Sequence, residues 1–238
     1  MKKSCADLFL WNKSAENYIS SQKISDFAKV NQLIVANRFP QFHGEAVLDL
    51  GCGPGWYTEY FRSHGAFVIG CDGSETMVEK ARSTYPLCHF DLSILGEPFP
   101  YEDAIFDMVF CNQVLMDVEH LSQTLSEISR VLKNNGLFYM SIVHPAFYDA
   151  PWMADEHGFL RYKKLERYLS EYSFSNFFWG ETKHYHRPLS IYINKAISCG
   201  LQLVSIDEPP TYDGKEKSSE FPLFLFMEFH KFSSLYTP

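Results

Sequence analysis

Val47-Leu48-Asp49-Leu50-Gly51-Cys52-Gly53-Pro54-Gly55 is the stretch that decides the fold. Val47 to Leu50 is an apolar run broken by one acid, the pattern of a buried parallel strand. Gly51, Gly53 and Gly55 follow at alternate positions. Glycine lets the main chain turn tightly and lets another group approach it closely. Trp56-Tyr57-Thr58-Glu59-Tyr60-Phe61 then reads as the start of a helix.

Strand, glycine loop and helix in this order make the nucleotide-binding end of a doubly wound sheet. The details choose among ligands. A dinucleotide fingerprint needs a third glycine where Trp56 stands, and tryptophan is too bulky to pack helix on strand. Asp49, inside the strand, suits a positively charged ligand better than a pyrophosphate. No lysine follows the loop in the P-loop position. A turn of purely structural use is the alternative for the nonapeptide alone.

The downstream spacing argues for a ligand. Ala66 to Cys71 is a second apolar run and ends at Asp72. An acid about 20 residues past such a loop takes the two ribose hydroxyls. Ser74 is placed to cap a helix running to Arg82. Cys88-His89-Phe90-Asp91-Leu92 is a third short strand with an acid near its end. Val118 to Leu132 is amphipathic, with Leu121, Leu125, Ile128, Val131 and Leu132 on one face. Lys133-Asn134-Asn135-Gly136 reads as its stop, with Gly136 as the C′ glycine. Leu137 to Val143 is a fifth strand, ending at His144-Pro145.

Asp-x-Gly-x-Gly-x-Gly at 49–55 resembles the first motif of the class I S-adenosylmethionine (SAM)-dependent methyltransferases. Pro98-Phe99-Pro100-Tyr101-Glu102-Asp103, followed by Phe106-Asp107-Met108-Val109, is similar to the fourth-strand segment of the small-molecule branch called type 11. The resemblance covers roughly residues 45 to 145, and continues more loosely through His186 to Tyr192.

It implies an α/β fold: a doubly wound, seven-stranded, mostly parallel, Rossmann-like sheet. One unit over 1–238 is expected. Residues 1–42 form an N-terminal helical cover, 43–145 the SAM core, 146–186 a cap insert and 187–238 the rest of the sheet. Leu201 to Ile206 and Leu223 to Phe229 are the last two strands, an antiparallel pair by resemblance. The cofactor implied is SAM, with S-adenosylhomocysteine (SAH) as product. Its expected contacts begin with Asp49, Gly51, Cys52, Gly53 and Gly55 of the loop. Asp72, Gly73 and Met77 come from the second strand and the helix after it. Asp91 and Leu92 stand at the adenine position, and Asn112 and Gln113 at the methionine end. Tyr18, with Trp11, resembles aromatics of the covering helices; both also fit plain core packing.

Composition bounds the acceptor. The chain has 238 residues, ample for a buried core, and a formal net charge of −8. Phosphate-binding surfaces are basic, and the densest basic run is only Arg161-Tyr162-Lys163-Lys164. The Asn/Asp-Pro-Pro-Tyr/Phe motif of amino-methylation of DNA bases is missing after the fourth strand, and no Pro-Cys dipeptide suits attack on cytosine. A small-molecule acceptor is therefore expected, methylated at O, N or S. A non-catalytic SAM- or SAH-binding protein, an enzyme acting on RNA or protein, and a nicotinamide oxidoreductase are the alternatives. Six scattered cysteines without a Cys-x-x-Cys pair, and no apolar run of membrane-spanning length, read as a cytoplasmic protein.

Twelve aromatics fall between Ala146 and Tyr185. At the edge of a parallel sheet they can wall an apolar pocket, or pack as the core of a helical cap. Trp152 and Trp179 are read as pocket walls. Methyl transfer from SAM needs alignment first, and a base only when the nucleophile carries a proton of high pKa. His144, His186 and Asp117 are the candidate catalytic residues. His184-x-His186 has the spacing of a metal pair but no neighbouring Cys or acid in sequence, so no metal is expected.

Overall fold

The computed structural model describes residues 3–232. Two helices open it, α1 (Lys3–Ile24) and α2 (Asp26–Arg38). Ser25 separates them, its hydroxyl accepting from the Ala28 N–H as an N-cap. The central sheet is built from β1 (Ala46–Leu50), β2 (Phe67–Asp72), β3 (His89–Leu92), β4 (Phe106–Asn112) and β5 (Leu132–Val143). Helices α3 (Trp56–Ser63), α4 (Glu75–Thr84) and α5 (Leu121–Val131) connect them, with a short 3-10 turn at Leu115–Asp117. After β5 come two hairpins, β6 (Trp152–Ala154) with β7 (Leu160–Lys163) and β8 (Tyr172–Asn176) with β9 (Thr182–His186). Helix α6 (Leu189–Ser198) and strands β10 (Leu201–Asp207) and β11 (Phe224–Lys231) follow.

The seven-stranded sheet has the order β10-β11-β5-β4-β1-β2-β3. β11 is antiparallel to both neighbours, and the pairings among β1 to β5 are parallel. Strand order reverses between β1 and β4. Ligands of such sheets bind outside the carboxyl ends of the strands at this switch point.

Side-chain alternation splits the core over the two faces of the sheet. Leu48, Val109, Phe138 and Met140 pack with α5 and α6 through Leu125, Ile128 and Tyr192. Val47, Met108, Phe110 and Tyr139 pack on the other face with Val35, Phe39 and Phe61. Phe110 and Tyr139 are stacked 5.5 Å apart, and Phe61 meets Phe110 edge-on at 4.8 Å.

Two expectations are corrected. The helix before β5 starts at Leu121, not Val118, and its stop is not Gly136. Asn135 takes the left-handed conformation at φ +63°, and β5 already begins at Leu132. In α2, Phe27 and Leu33 face solvent and Ile24 ends α1 80% exposed, whereas Asn31, Val35 and Phe39 turn inward. Finally, the cap is not helical. Its rings sit on two antiparallel hairpins, for which the alternation Tyr172-Ser173-Phe174-Ser175 was a legible period-two signal.

Candidate active site

Gly51 has φ +74°, and a Cβ there would lie 2.5 Å from a Val114 methyl, so the turn after β4 leaves no room for a side chain. Gly53 has φ +53°, but an added Cβ would meet nothing within 4 Å. This part of the loop is an open cradle that a ligand can approach. The Gly53 N–H donates to Asp72 Oδ2 at 2.9 Å, and the Ser74 N–H to Asp72 Oδ1 at 2.8 Å. Burial raises the Asp72 pKa, and these donors oppose the shift. Asp91 accepts from Tyr101 Oη at 3.1 Å and meets His89 Nε2 at 3.0 Å. Leu92 ends β3 half exposed, whereas Cys52 is buried with Val78, Ala81 and Phe90.

Asp49 lies beneath the loop, 2% exposed, and accepts from Thr58 Oγ1 at 2.6 Å. Burial pushes its carboxyl up to about 7, against that hydrogen bond. At the end of β4, Asn112 Oδ1 accepts from Ser141 Oγ at 2.5 Å, and Asn112 Nδ2 donates to Asn31 Oδ1 at 2.9 Å. The Gln113 N–H donates to the Ser141 carbonyl at 2.9 Å, which holds Gln113 at φ +58°. Asn31 was not anticipated from sequence. It is buried, Tyr57 Oη donates to its Oδ1 at 2.5 Å, and its Nδ2 has no protein partner.

Helix α1 lies over this crevice. Asn12 Oδ1 accepts from Ser74 Oγ at 2.6 Å. Leu8 stands where a side chain at Gly73 would be, and Met77 packs under α1 against Ala15 and Ile19. Trp11, Tyr18 and Trp179 form a ring cluster joining α1 to the β8–β9 hairpin, with Tyr18 and Trp179 edge-on at 5.1 Å. Burial raises the Tyr18 hydroxyl pKa, and the charges of Asp117 and Asp72 add to it. Tyr18 thus stands between the strand-end acid and the cap.

A narrow cavity of about 20 Å³, room for about one water molecule, opens beyond the ends of β4 and β5. Met116, His144, Tyr148, Phe174, His184 and Arg187 are among its walls. The structure treats the three cap-side histidines differently. His144 has both ring nitrogens engaged, Nδ1 by the Ala146 N–H at 3.1 Å and Nε2 by Glu208 at 2.7 Å. His186 Nε2 meets the Tyr168 carbonyl at 2.9 Å, and its ring stacks on Tyr172. His184 lies with Nε2 3.1 Å from Asp117 Oδ1, stacked on Tyr148, and its Nδ1 is buried without a partner. Burial pushes its pKa down to about 4 and raises that of Asp117 well above the carboxylate range.

The sequence reading weighed His184 only as a metal ligand, without an acid nearby. The fold supplies that acid from 67 positions away, Asp117 on the turn after β4. Thr182, His184 and His186 alternate on the buried face of β9, the one sequence signal that could have marked His184. Among the described residues, no group of three or more His, Cys, Asp or Glu side chains is arranged to hold a metal ion. Arg187 also shapes the site. Its buried guanidinium donates to the carbonyls of Leu115, Val118 and Glu119 and fixes the turn that carries Asp117. Trp152 is not a wall of the cavity: it packs on Tyr212 and Phe221, with the Lys163 ammonium 4.4 Å over its ring.

Known proteins share this arrangement. Residues 48–140 match the family described as "Methyltransferase domain". A Listeria monocytogenes crystal structure described as an S-adenosylmethionine dependent methyltransferase superposes with a TM-score of 0.75 at 28% identity, over 87% of this chain and all of that one. A Mesorhizobium loti methyltransferase structure shares the fold, with a TM-score of 0.71 at 23% identity over 88% of this chain and 99% of that one. A malonyl-[acyl-carrier protein] O-methyltransferase from Buchnera aphidicola is 30% identical over 62% of this chain. The match spans 58% of that relative's length.

Fold and crevice are similar to those of class I SAM-dependent methyltransferases. Residues 48–140 resemble the type 11 methyltransferase domain, and the likeness points to SAM as the cofactor. The residues fit such a ligand: an open glycine cradle, a strand-end acid, a buried acid under the loop and an unpartnered Asn31 amide.

Proposed function

We propose that this enzyme methylates an O, N or S atom of a small molecule whose reacting group reaches the mouth of the narrow cavity beneath the cap. The observation that carries the reading is the cavity itself. It is walled by half-buried aromatic rings and buried imidazoles beyond the ends of β4 and β5, beside the switch point of the sheet, with α1 covering the cofactor side. No helix among the described residues is long and apolar enough to cross a membrane.

The cofactor supplies a methyl group already activated as a sulfonium. The chain binds, orients and excludes water. Asp72 takes the ribose hydroxyls, the cradle of Gly51, Gly53 and Gly55 admits the ligand, and Asp91 and Leu92 flank the adenine. Asp49, Asn31 and Asn112 meet the polar methionine end. Cys52 and Met77 contribute through the packing that shapes the loop and α4, and Gln113 and Gly73 through main-chain shape. Tyr18 closes the crevice toward the acceptor. Orientation of this kind can supply most of the rate. His144 and His186 act as cavity walls, since their described hydrogen bonds go to other parts of the protein.

An SAH-release assay tests the reading, run over small phenols, amines, thiols and carboxylic acids. Malonyl-acyl carrier protein is included because the Buchnera relative's name points to it. Turnover of a small acceptor supports the proposal. Turnover of the carrier-bound substrate alone would move the acceptor to a protein, and SAH binding without any turnover would favour a binding protein.

A further inference from the structure

Resting on the methyltransferase reading, we infer that Trp179, Thr182 and His184 form a hydrogen-bond donor site for one oxygen of the methyl acceptor, which therefore carries a carbonyl or carboxylate group there rather than an ammonium. Three atoms carry the inference: Trp179 Nε1, Thr182 Oγ1 and His184 Nδ1 are each buried without a hydrogen-bond partner. Thr182 is fully buried, and His184 is 3% exposed. These two alternate on one face of β9, and Trp179 stands on the turn that leads into that strand. Helix α1 closes over the same turn: Ser14 Oγ donates to the Glu181 carbonyl at 3.2 Å, and Trp11 and Tyr18 pack on the Trp179 ring. Buried polar atoms are almost always paired, because an unpaired one forfeits its bonds to water. Three at the start of one strand, beside the cavity that His184 helps to wall, await a partner the chain does not supply.

The hydrogen positions give the site its sign. The Asn176 amide is oriented by its partners: Oδ1 accepts from the Phe178 N–H at 3.1 Å, and Nδ2 donates to Tyr148 Oη at 2.8 Å. The same Nδ2 lies 3.4 Å from His184 Nε2 and can only donate to it. Nε2 is therefore the acceptor of the ring, and Nδ1 carries the proton of the neutral imidazole. Burial keeps the ring in that neutral form. An indole nitrogen only donates, and a threonine hydroxyl donates readily. Asp117 Oδ1, 3.1 Å from His184 Nε2, makes no hydrogen bond, and burial together with the charge of Asp7 favours its neutral carboxyl. The site thus presents polar hydrogens and no fixed charge. An ammonium would leave those hydrogens unsatisfied, whereas the lone pairs of one oxygen satisfy them.

The placement suits a group close to the methylated atom. Tyr18 lies within reach of the charges of Asp117 and Asp72, and so stands between this site and the strand-end acid of the cofactor crevice. Trp179 meets that ring edge-on at 5.1 Å. The cavity beside His184, about 20 Å³, has room for about one water molecule. A single oxygen is of that size, and the body of the acceptor then extends toward the cavity mouth. Arg187, a cation of the cavity wall, has its guanidinium turned to three main-chain carbonyls, so recognition of the oxygen rests on the neutral donors. These side chains hold the acceptor and take no proton from it.

Proton–nitrogen NMR of the SAH-loaded protein at pH 7 tests this with acetamide, acetate and methylammonium as probes. The Trp179 indole N–H is assigned by its loss in the Trp179→Phe variant. An oxygen probe should move that resonance downfield and saturably as it accepts the hydrogen bond, and methylammonium should not. A response to acetamide assigns a neutral carbonyl and one to acetate a carboxylate, and either supports the site. Thr182→Val keeps the shape of the side chain and removes its hydroxyl. It should weaken the responding probe by about threefold to tenfold, and Thr182→Ser should restore it. Without a probe, Thr182→Val should melt about 2–4 °C above the parent, because a buried hydroxyl without a partner is gone. Its SAH affinity should stay within about twofold of the parent by calorimetry. A response to methylammonium, no response to either oxygen probe, or a Thr182→Val protein that binds the probe like the parent or melts below it would each overturn the assignment. Failure of the parent to bind SAH is a different result: it would undo the methyltransferase reading itself.

Discussion

The Gly53 N–H donates to Asp72 Oδ2 over 2.9 Å, so the glycine loop and the end of β2 hold each other in place. A carboxylate has about four acceptor positions, and two are used here by Gly53 and Ser74. The remainder are free for a diol. Asp72→Ala should lower SAM affinity at least tenfold, because hydrogen bonds to a charged group contribute about 1.5–3 kcal/mol each. The variant should also lose about 1 kcal/mol of stability with the Gly53 anchor. Calorimetric titration and urea unfolding measure the two effects separately.

SAM and SAH should both raise the melting temperature. At about 100 times its dissociation constant, a ligand stabilises the native state by roughly 2.7 kcal/mol. For a chain of this size that is roughly 5–10 °C. NAD and ATP should leave the transition where it was. A thermal scan with all four ligands decides the matter, and a shift with NAD alone would contradict the cofactor assignment.

Asp49 makes cofactor binding depend on pH. Its folded pKa, about 7, lies above its unfolded value. The contribution to stability is therefore fully present below the unfolded value of about 4 and is lost as pH rises through about 7. A cationic ligand acts in the opposite sense, because it favours the carboxylate. SAM affinity should rise between about pH 6 and 8 with proton release, and Asp49→Asn should flatten the dependence. Titrations in buffers of different ionisation enthalpy count the protons.

Arg187→Met should destabilise the protein by about 3 kcal/mol, since it leaves buried carbonyls of the 115–119 segment without their donor. The matching drop in melting temperature is roughly 6–12 °C. Arg187→Lys should recover only part of this, because an ammonium cannot reproduce the planar fork. Thermal unfolding of the two variants provides the comparison.

Trp179 and Trp152 should separate. Trp179 packs on Trp11 and Tyr18 above the cofactor crevice, whereas Trp152 packs on Tyr212 and Phe221. Trp179→Ala should weaken SAM binding by about 1 kcal/mol, the scale of an aromatic pair. Trp152→Ala should leave SAM affinity unchanged and cost stability instead. Calorimetry on both variants tests the contrast.

The sequence by itself determined whatever local chain geometry controls. The run of β1, the glycines that adopt positive φ, the Ser74 cap and the acid at the end of β2 stand where the sequence placed them. Each is governed by hydrogen bonds and torsions within a few residues, so each leaves a pattern in the chain. Tertiary structure decided the rest. The cap's twelve aromatics carried volume but, read as a group, no period, and pairing of β6 with β7 and β8 with β9 made them hairpins. Asn135 rather than Gly136 took the left-handed conformation within the register shift of β5 on β4, between the Phe106–Leu132 and Met108–Leu137 pairs. Asp117 and His184 lie far apart in the chain, and Arg187 ties the Asp117 turn from beside β9. Long-range contacts of this kind set which histidine keeps a bare nitrogen, because burial and partners belong to the packed protein and not to the residue type.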